Sequence, residues 1–138
     1  EKVNERLKIR ERNYNALKSS LAEIEELTVF EPKQGKSFSS FYCLNAILPE
    51  DASIKRDNIV KELNAQGIGT SVHYPGPIPL MTYYKKKYGY KQGQFPTAEW
   101  LASQTISLPV APHVPDGFET EIASVIKAAI YRSTKKIL

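Results

Sequence analysis

Two histidines are the first residues to weigh, because imidazole is the side chain whose ordinary titration lies near neutrality. His73 ends a β-branched run, Ile68 to Val72, and opens a loop broken by Pro75, Gly76, Pro77 and Pro79. Strand ends that open into irregular loops are where functional side chains tend to lie. A histidine hydrogen-bonded within the packing of its loop is the competing reading. His113, between Pro112 and Val114, stands in a less marked context. Tyr83, Tyr84, Tyr88 and Tyr90 interleave with Lys85, Lys86, Lys87 and Lys91. A nucleic-acid site needs a concentrated basic face with aromatics. A solvated lysine face over a tyrosine-packed core is the commoner arrangement, and no nucleic-acid partner is expected.

Self-contained catalytic patterns are missing. There is no Walker loop and no HExxH, and Gly67-x-Gly69 lacks the third glycine of a dinucleotide fingerprint. Ser, His and Asp occur without the context of a nucleophile elbow. Two histidines and one cysteine, far apart, do not suggest a structural zinc. Cys43 has no intrachain partner and lies in the run Phe41-Tyr-Cys-Leu44, where a small buried hydrophobe is expected.

These residues belong to a chain of 138 residues, 41% apolar and 25% charged, a length that fits one domain. The net charge of +4 is mild and would suit a phosphorylated small molecule. No apolar run approaches the roughly 20 residues of a membrane helix, so no membrane partner is expected. With no signal peptide or glycosylation sequon in view, the cytoplasm is the default location. The chain opens Glu-Lys-Val inside a helical pattern, which reads like a piece of something longer.

The elements that must position the histidines follow from periodicity. Val3, Leu7, Tyr14, Leu17, Leu21 and Ile24 predict a helix over about residues 1–26. At 1.5 Å per residue it would be roughly 39 Å long, as wide as the domain itself. Residues 28–30 predict a short strand and 32–36 a turn. Residues 40–48 predict the best strand, apolar on both faces and therefore central and covered on both sides. A loop with Ser53 as a possible cap leads to a helix carrying Ile59, Val60 and Leu63, stopped by Gly67. Residues 68–72 predict a strand, 80–88 a short helix, and 95–102 a helix with Pro96 in its first turn. Residues 106–108 predict a strand, and Asp116-Gly-Phe-Glu119 a capping-box variant. The last helix carries Ile122, Val125, Ile126, Ala129 and Ile130 on one face. The order implies an α+β domain: about three mainly antiparallel strands, with helices packed mostly on one face.

Two stretches carry a resemblance. One is Gly67-Ile-Gly-Thr-Ser-Val-His73-Tyr74-Pro75, followed by Pro77-Ile-Pro-Leu-Met81. The other is Phe95-Pro-Thr-Ala-Glu99-Trp-Leu-Ala, continuing to Ile106-Ser-Leu-Pro109-Val-Ala-Pro112. With Arg56-Asp57 and the Tyr14-to-Leu17 element, they resemble the C-terminal part of the DegT–DnrJ–StrS family of pyridoxal phosphate (PLP)-dependent sugar aminotransferases. The likeness runs from about Tyr14 to Ile130.

The resemblance implies the small domain of a fold-type I aminotransferase, with residues 1–26 an interdomain helix and 27–138 the α+β body. PLP and the Schiff-base lysine would belong to a large domain absent here, so the chain alone would be inactive and hold no cofactor. The full enzyme would move an amino group, usually from glutamate, onto a keto-sugar nucleotide, and would be a homodimer. By the same resemblance His73, Tyr74, Pro75, Gly76, Tyr83 and Tyr84 would bind substrate, and no residue here would be catalytic. Many members carry a second histidine where Pro79 stands, so Pro79 is left out of the site. The chain has no arginine between Arg56 and Arg132, where aspartate-type enzymes place a carboxylate fork. A sugar dehydratase or a non-catalytic regulator of the same family, and a stand-alone ligand- or nucleic-acid-binding module, are the alternatives.

Overall fold

The computed structural model describes residues 2–50 and 54–135. Glu1 and Ser53, each given a place in the expectations, lie outside the described residues.

Helix α1 (Lys2–Leu21) buries Asn13, Tyr14, Leu17 and Leu21. It ends five residues before the expected Glu26. The apolar stripe continues, but Ile24 is carried into the core by a turn, its N–H donating to Leu21 O at 3.0 Å. Periodicity alone does not tell a last helical turn from a tight bend that buries the same residue. Val3, expected in the stripe, is exposed.

Strand β1 (Thr28–Val29) is followed by a hairpin, β2 (Lys33–Gln34) and β3 (Ser37–Phe38). The expected turn is therefore the centre of a two-stranded ribbon, with Gly35 at φ 61° between the strands. Strand β4 (Leu44–Ile47) and strand β5 (Thr105–Leu108) complete a three-stranded antiparallel sheet in the order β1-β4-β5. The expected α+β class and antiparallel sheet hold. Residues 68–72 do not form a strand; they contribute one isolated bridge, Ser71 opposite Ser107.

Helix α2 (Arg56–Ala65) stops at Gly67, which adopts φ 78°. Gly67 N donates to Asn64 O and Ile68 N to Leu63 O, both at 3.0 Å. These are the two bonds of a Schellman stop, which needs the left-handed residue that glycine supplies without strain. A short 3-10 turn (Ile78–Leu80) and helix α3 (Thr82–Tyr88) follow, then helix α4 (Pro96–Gln104) and helix α5 (Phe118–Lys135). The expected capping box does not form as drawn: α5 begins one residue later, and the Asp116 carboxylate faces Arg12 at 3.5 Å.

One core holds the fold. Leu17 and Leu21 of α1, Leu63 of α2 and Ile122, Ile126 and Ala129 of α5 pack on Leu44, Ala46, Ile106 and Leu108 of the sheet. The expected apolar face of α5 is thus buried as a whole. On the opposite face lie Asn45 and Ile47 of β4 and Cys43 just before it. Ile47 is buried, but Cys43 and Asn45 are only part-covered. The central strand is therefore not closed on both sides, and the uncovered part of its second face is where the histidine loop lies.

Candidate functional site

The site is built on two polar residues that face each other across β4 and β5. Asn45 of β4 stands directly opposite Ser107 of β5 in the antiparallel register. Ser107 Oγ donates to Asn45 Oδ1 at 2.7 Å. On its other edge β5 takes the isolated bridge: Ser71 N to Ser107 O at 3.1 Å and Ser107 N to Ser71 O at 2.9 Å. That pair fixes the chain two residues before His73, and His73 Nδ1 lies 2.8 Å from Ser107 Oγ. Cys43 Sγ donates to the same Asn45 Oδ1 at 3.6 Å. Burial pushes the Cys43 thiol up, against the opposing pulls of the Ser107 hydrogen bond and the Arg10 charge.

A second group comes from α1. Phe41 adopts φ 52°, a left-handed conformation that costs a bulky residue about 1–2 kcal/mol. Burial of its ring, edge-on to Tyr14 with centroids 5.4 Å apart, offsets that cost. The bend turns the next side chain outward, leaving Tyr42 69% exposed. Arg10 donates to Tyr42 O at 2.8 Å and lies 5.6 Å from the centroid of its ring. The ring in turn meets His73 edge-on at 6.2 Å. Arg10, Tyr42 and His73 thus form one layer.

This layer divides two open clefts, both lined by Tyr42, Cys43 and His73. The first, about 530 Å³, adds Arg10, residues 69–72 and residues 107–111. The second, about 550 Å³ and more apolar, adds Phe30, Asn45, Tyr74, Gly76, Ile78, Pro79 and part of α4.

The expected site residues divide. His73, Tyr74 and Gly76 come together at the apolar cleft, and Pro79, left out of the expected site, lines it as well. Pro75 turns instead to a separate cleft with Lys55, Arg56 and Lys61 at the start of α2. Tyr83 and Tyr84 line neither histidine cleft; they sit on α3 and are exposed. Nor do the tyrosines form a packed core. Tyr83, Tyr84, Tyr88, Tyr90 and Phe95 make a ladder of ring contacts at 5.0–6.3 Å, with Lys87 over the rings of Tyr83 and Tyr88. His113 stands exposed in a turn between Ala111 and Val114.

Two motif residues prove to be architectural. The Glu99 carboxylate accepts from Gly93 N at 2.9 Å and Phe95 N at 3.1 Å, tying the preceding loop to the start of α4. Arg56 Nη1 donates to Ala102 O at 2.7 Å while its Nε holds Asp57, so α2 is pinned to α4.

Arg10, Tyr42, Asn45 and Ser107 were not among the expected site residues. For Asn45 and Ser107 a signal existed: each is a polar residue with apolar neighbours on both sides in its strand, which burial tolerates only with a partner. Arg10 had none, because nothing local distinguishes it from the other charges of α1. It brings a guanidinium to the site although the loop and strand region has no arginine. That group is committed to the carbonyls of Phe41 and Tyr42 and to a ring face.

The donor set does not fit PLP. Neither histidine cleft is lined by a lysine or a carboxylate among the described residues. A Schiff base and a partner for the pyridine nitrogen are therefore not supplied at these clefts. No helix is long and apolar enough to cross a membrane, and no group of three metal-ligating side chains occurs, among the described residues.

The sequence profile of the DegT/DnrJ/EryC1/StrS aminotransferase family matches residues 1–129. Uncharacterized protein MJ1066 of Methanocaldococcus jannaschii is 40% identical over 77 residues, 56% of this chain and 20% of its own length. The dTDP-3-amino-3,4,6-trideoxy-alpha-D-glucose transaminase of Streptomyces venezuelae is 40% identical over 60 residues, 44% of this chain and 16% of its own. The chain thus spans about a fifth of the length of these curated relatives. The aminotransferase TlmJ from Streptoalloteichus hindustanus shares the fold, with a TM-score of 0.78 at 23% identity over 96% of this chain and 34% of that one. With its profile matched from residue 1 to residue 129 and His73 standing on an open cleft, the chain belongs to the DegT/DnrJ/EryC1/StrS aminotransferase family.

Proposed function

We propose that this chain is the small domain of a PLP-dependent aminotransferase whose amino acceptor is a keto-sugar nucleotide and whose amino donor is glutamate. One observation carries the reading: His73, the histidine of the family-like His-Tyr-Pro run, is held by Ser107 at the wall of an apolar cleft of sugar-ring size. A cleft of mainly apolar lining with a few fixed polar groups is the usual build of a small-molecule site. The relative named a dTDP-sugar transaminase supports the substrate class.

PLP supplies the electron sink of transamination, and on this proposal it and its lysine belong to the remainder of a longer protein. The residues here bind and orient: Tyr42, Tyr74, Ile78 and Pro79 give apolar walls, and His73 gives one polar contact. Alone, the chain neither holds PLP nor transaminates. The full enzyme works in the cytoplasm as a homodimer.

The test is expression of the full gene product beside the 138-residue chain. The full product should show the lysine-linked PLP absorbance, lose it on adding glutamate, and regain it with a keto-sugar nucleotide. No such absorbance in the full product would sink the proposal. Covalent PLP on the short chain would overturn its division of labour.

A further inference from the structure

While the Cys43 thiol keeps its proton, the hydrogen bonds around Ser107 run in one direction. Asn45 Oδ1 is an acceptor only, and it receives both the Ser107 hydroxyl and the Cys43 thiol. A hydroxyl has a single proton. Once Ser107 has given it to Asn45, the oxygen meets His73 Nδ1 at 2.8 Å with lone pairs only. The proton in that contact must then come from the imidazole. Ser71 Oγ also approaches Nδ1, but at 3.4 Å it is the weaker neighbour. In a neutral imidazole one nitrogen carries the proton and the other accepts, and the hydrogen bond of one decides the state of the other.

We propose that Asn45 and Ser107 are positioning residues that hold neutral His73 with its proton on Nδ1, so that Nε2 faces the clefts as a hydrogen-bond acceptor. The group that His73 meets there is then a donor, a ligand O–H or N–H, and not a phosphate or carboxylate oxygen. Where the ligand is concerned this rests on the proposed function; the state of the imidazole itself does not. The relay also accounts for a polar pair set between apolar neighbours in both strands. Asn45 reads the direction, Ser107 transmits it, and the backbone bridge from Ser71 to Ser107 keeps the ring within reach.

The 138-residue chain contains its own control. His113 is exposed and stands in no such network, and a free imidazole in water favours the proton on Nε2. Two-bond 1H–15N correlation spectra, recorded at mildly alkaline pH, report which nitrogen is protonated. Neutral His73 should show a protonated Nδ1 and a pyridine-type Nε2, opposite to His113. Asn45→Leu frees the Ser107 proton to turn toward the ring, so His73 should swap to the Nε2–H form. Ser107→Ala should leave His73 resembling His113. Ser107→Thr keeps the hydroxyl and should keep the wild-type state, as should Ser71→Ala. A protonated Nε2 on wild-type His73 would overturn the proposal without any variant being folded. So would an Asn45→Leu spectrum that matches wild type. Neither result bears on the PLP absorbance of the full product, so the two proposals fail separately.

Discussion

Arg10 grips Tyr42 twice, by a 2.8 Å hydrogen bond to its carbonyl and by a guanidinium 5.6 Å from the centroid of its ring. The pairing joins the first helix to the start of the central strand across 32 positions of sequence. It holds the ring that His73 meets edge-on. Arg10→Ala should lower stability by about 1–2 kcal/mol, the sum of one charged hydrogen bond in a part-exposed place and one cation–π contact. Arg10→Lys should recover little, because an ammonium lacks the planar fork that serves two carbonyls and a ring together. Urea unfolding of both variants checks this. A lysine variant as stable as wild type would show that charge alone is enough.

Arg56 predicts a larger loss for a different reason. Its side chain is only 12% exposed and donates to the carbonyl of Ala102 from another helix. Truncation removes a charge-assisted bond and leaves that carbonyl short of a partner. Arg56→Ala should therefore cost about 2 kcal/mol in a urea midpoint, with an unchanged slope. Asp57→Ala should cost under about 0.5 kcal/mol, because the Arg56–Asp57 contact is an ion pair with a largely exposed carboxylate.

How far the sequence reaches is clearest where single residues decide the outcome. Gly67 was legible, because only a left-handed stop ends a helix at a glycine before a β-branched run. The antiparallel sheet and the face of α5 were legible because burial imposes a period. The bend at Phe41 was not, since no residue type announces a strained bulky position. It converts half of an expected nine-residue strand into the turn that exposes Tyr42. The tyrosines were misplaced because aromatic spacing on a seven-residue helix fits a buried face and an exposed ladder equally well. Within the site, His73 stood out by its place before a broken loop. Its partners Ser107 and Asn45 lie 34 and 28 positions away and meet it only through register.

Gly67 gives a local check on that reading. With φ at 78° and nothing within 4 Å of the place a Cβ would take, Gly67→Ala pays conformational strain and no clash. The loss should be about 1 kcal/mol. Gly69, two residues on, likewise has open space and does not need a positive φ. Gly69→Ala should be neutral or slightly stabilising, through the lower entropy of the unfolded chain. Thermal midpoints of the two variants, measured together, separate conformation from space.

Cys43 and Tyr14 set the alkaline edge of stability. Burial pushes the Cys43 thiol up, and burial and then the Glu31 charge push the Tyr14 phenol up. In both cases the folded chain holds a proton that the unfolded chain releases first. Stability from this source is complete below the ordinary values of 9.0 and 10.0, and falls as pH rises through the raised folded ones. Urea midpoints should be flat between pH 7 and 8 as far as these groups are concerned, and drop from about pH 9 upward. Cys43→Ala should remove the earlier part of the drop and Tyr14→Phe the later. Alkylation by iodoacetamide gives a second readout, with Cys43 reacting more slowly at pH 8 than the same thiol in the urea-unfolded chain.

In the full gene product, the proposed role of His73 separates the two halves of the reaction. His73→Ala removes one neutral hydrogen bond at the cleft, which corresponds to a roughly 3- to 10-fold loss. The loss should fall on kcat/KM for the keto-sugar nucleotide, while the glutamate half-reaction, followed by the decay of PLP absorbance, stays near wild type. His73→Gln presents a carbonyl oxygen that can accept where Nε2 accepted, and should recover part of the activity. His73→Lys offers a donor only and should recover none. Equal losses in both half-reactions would instead make His73 a structural prop of the loop.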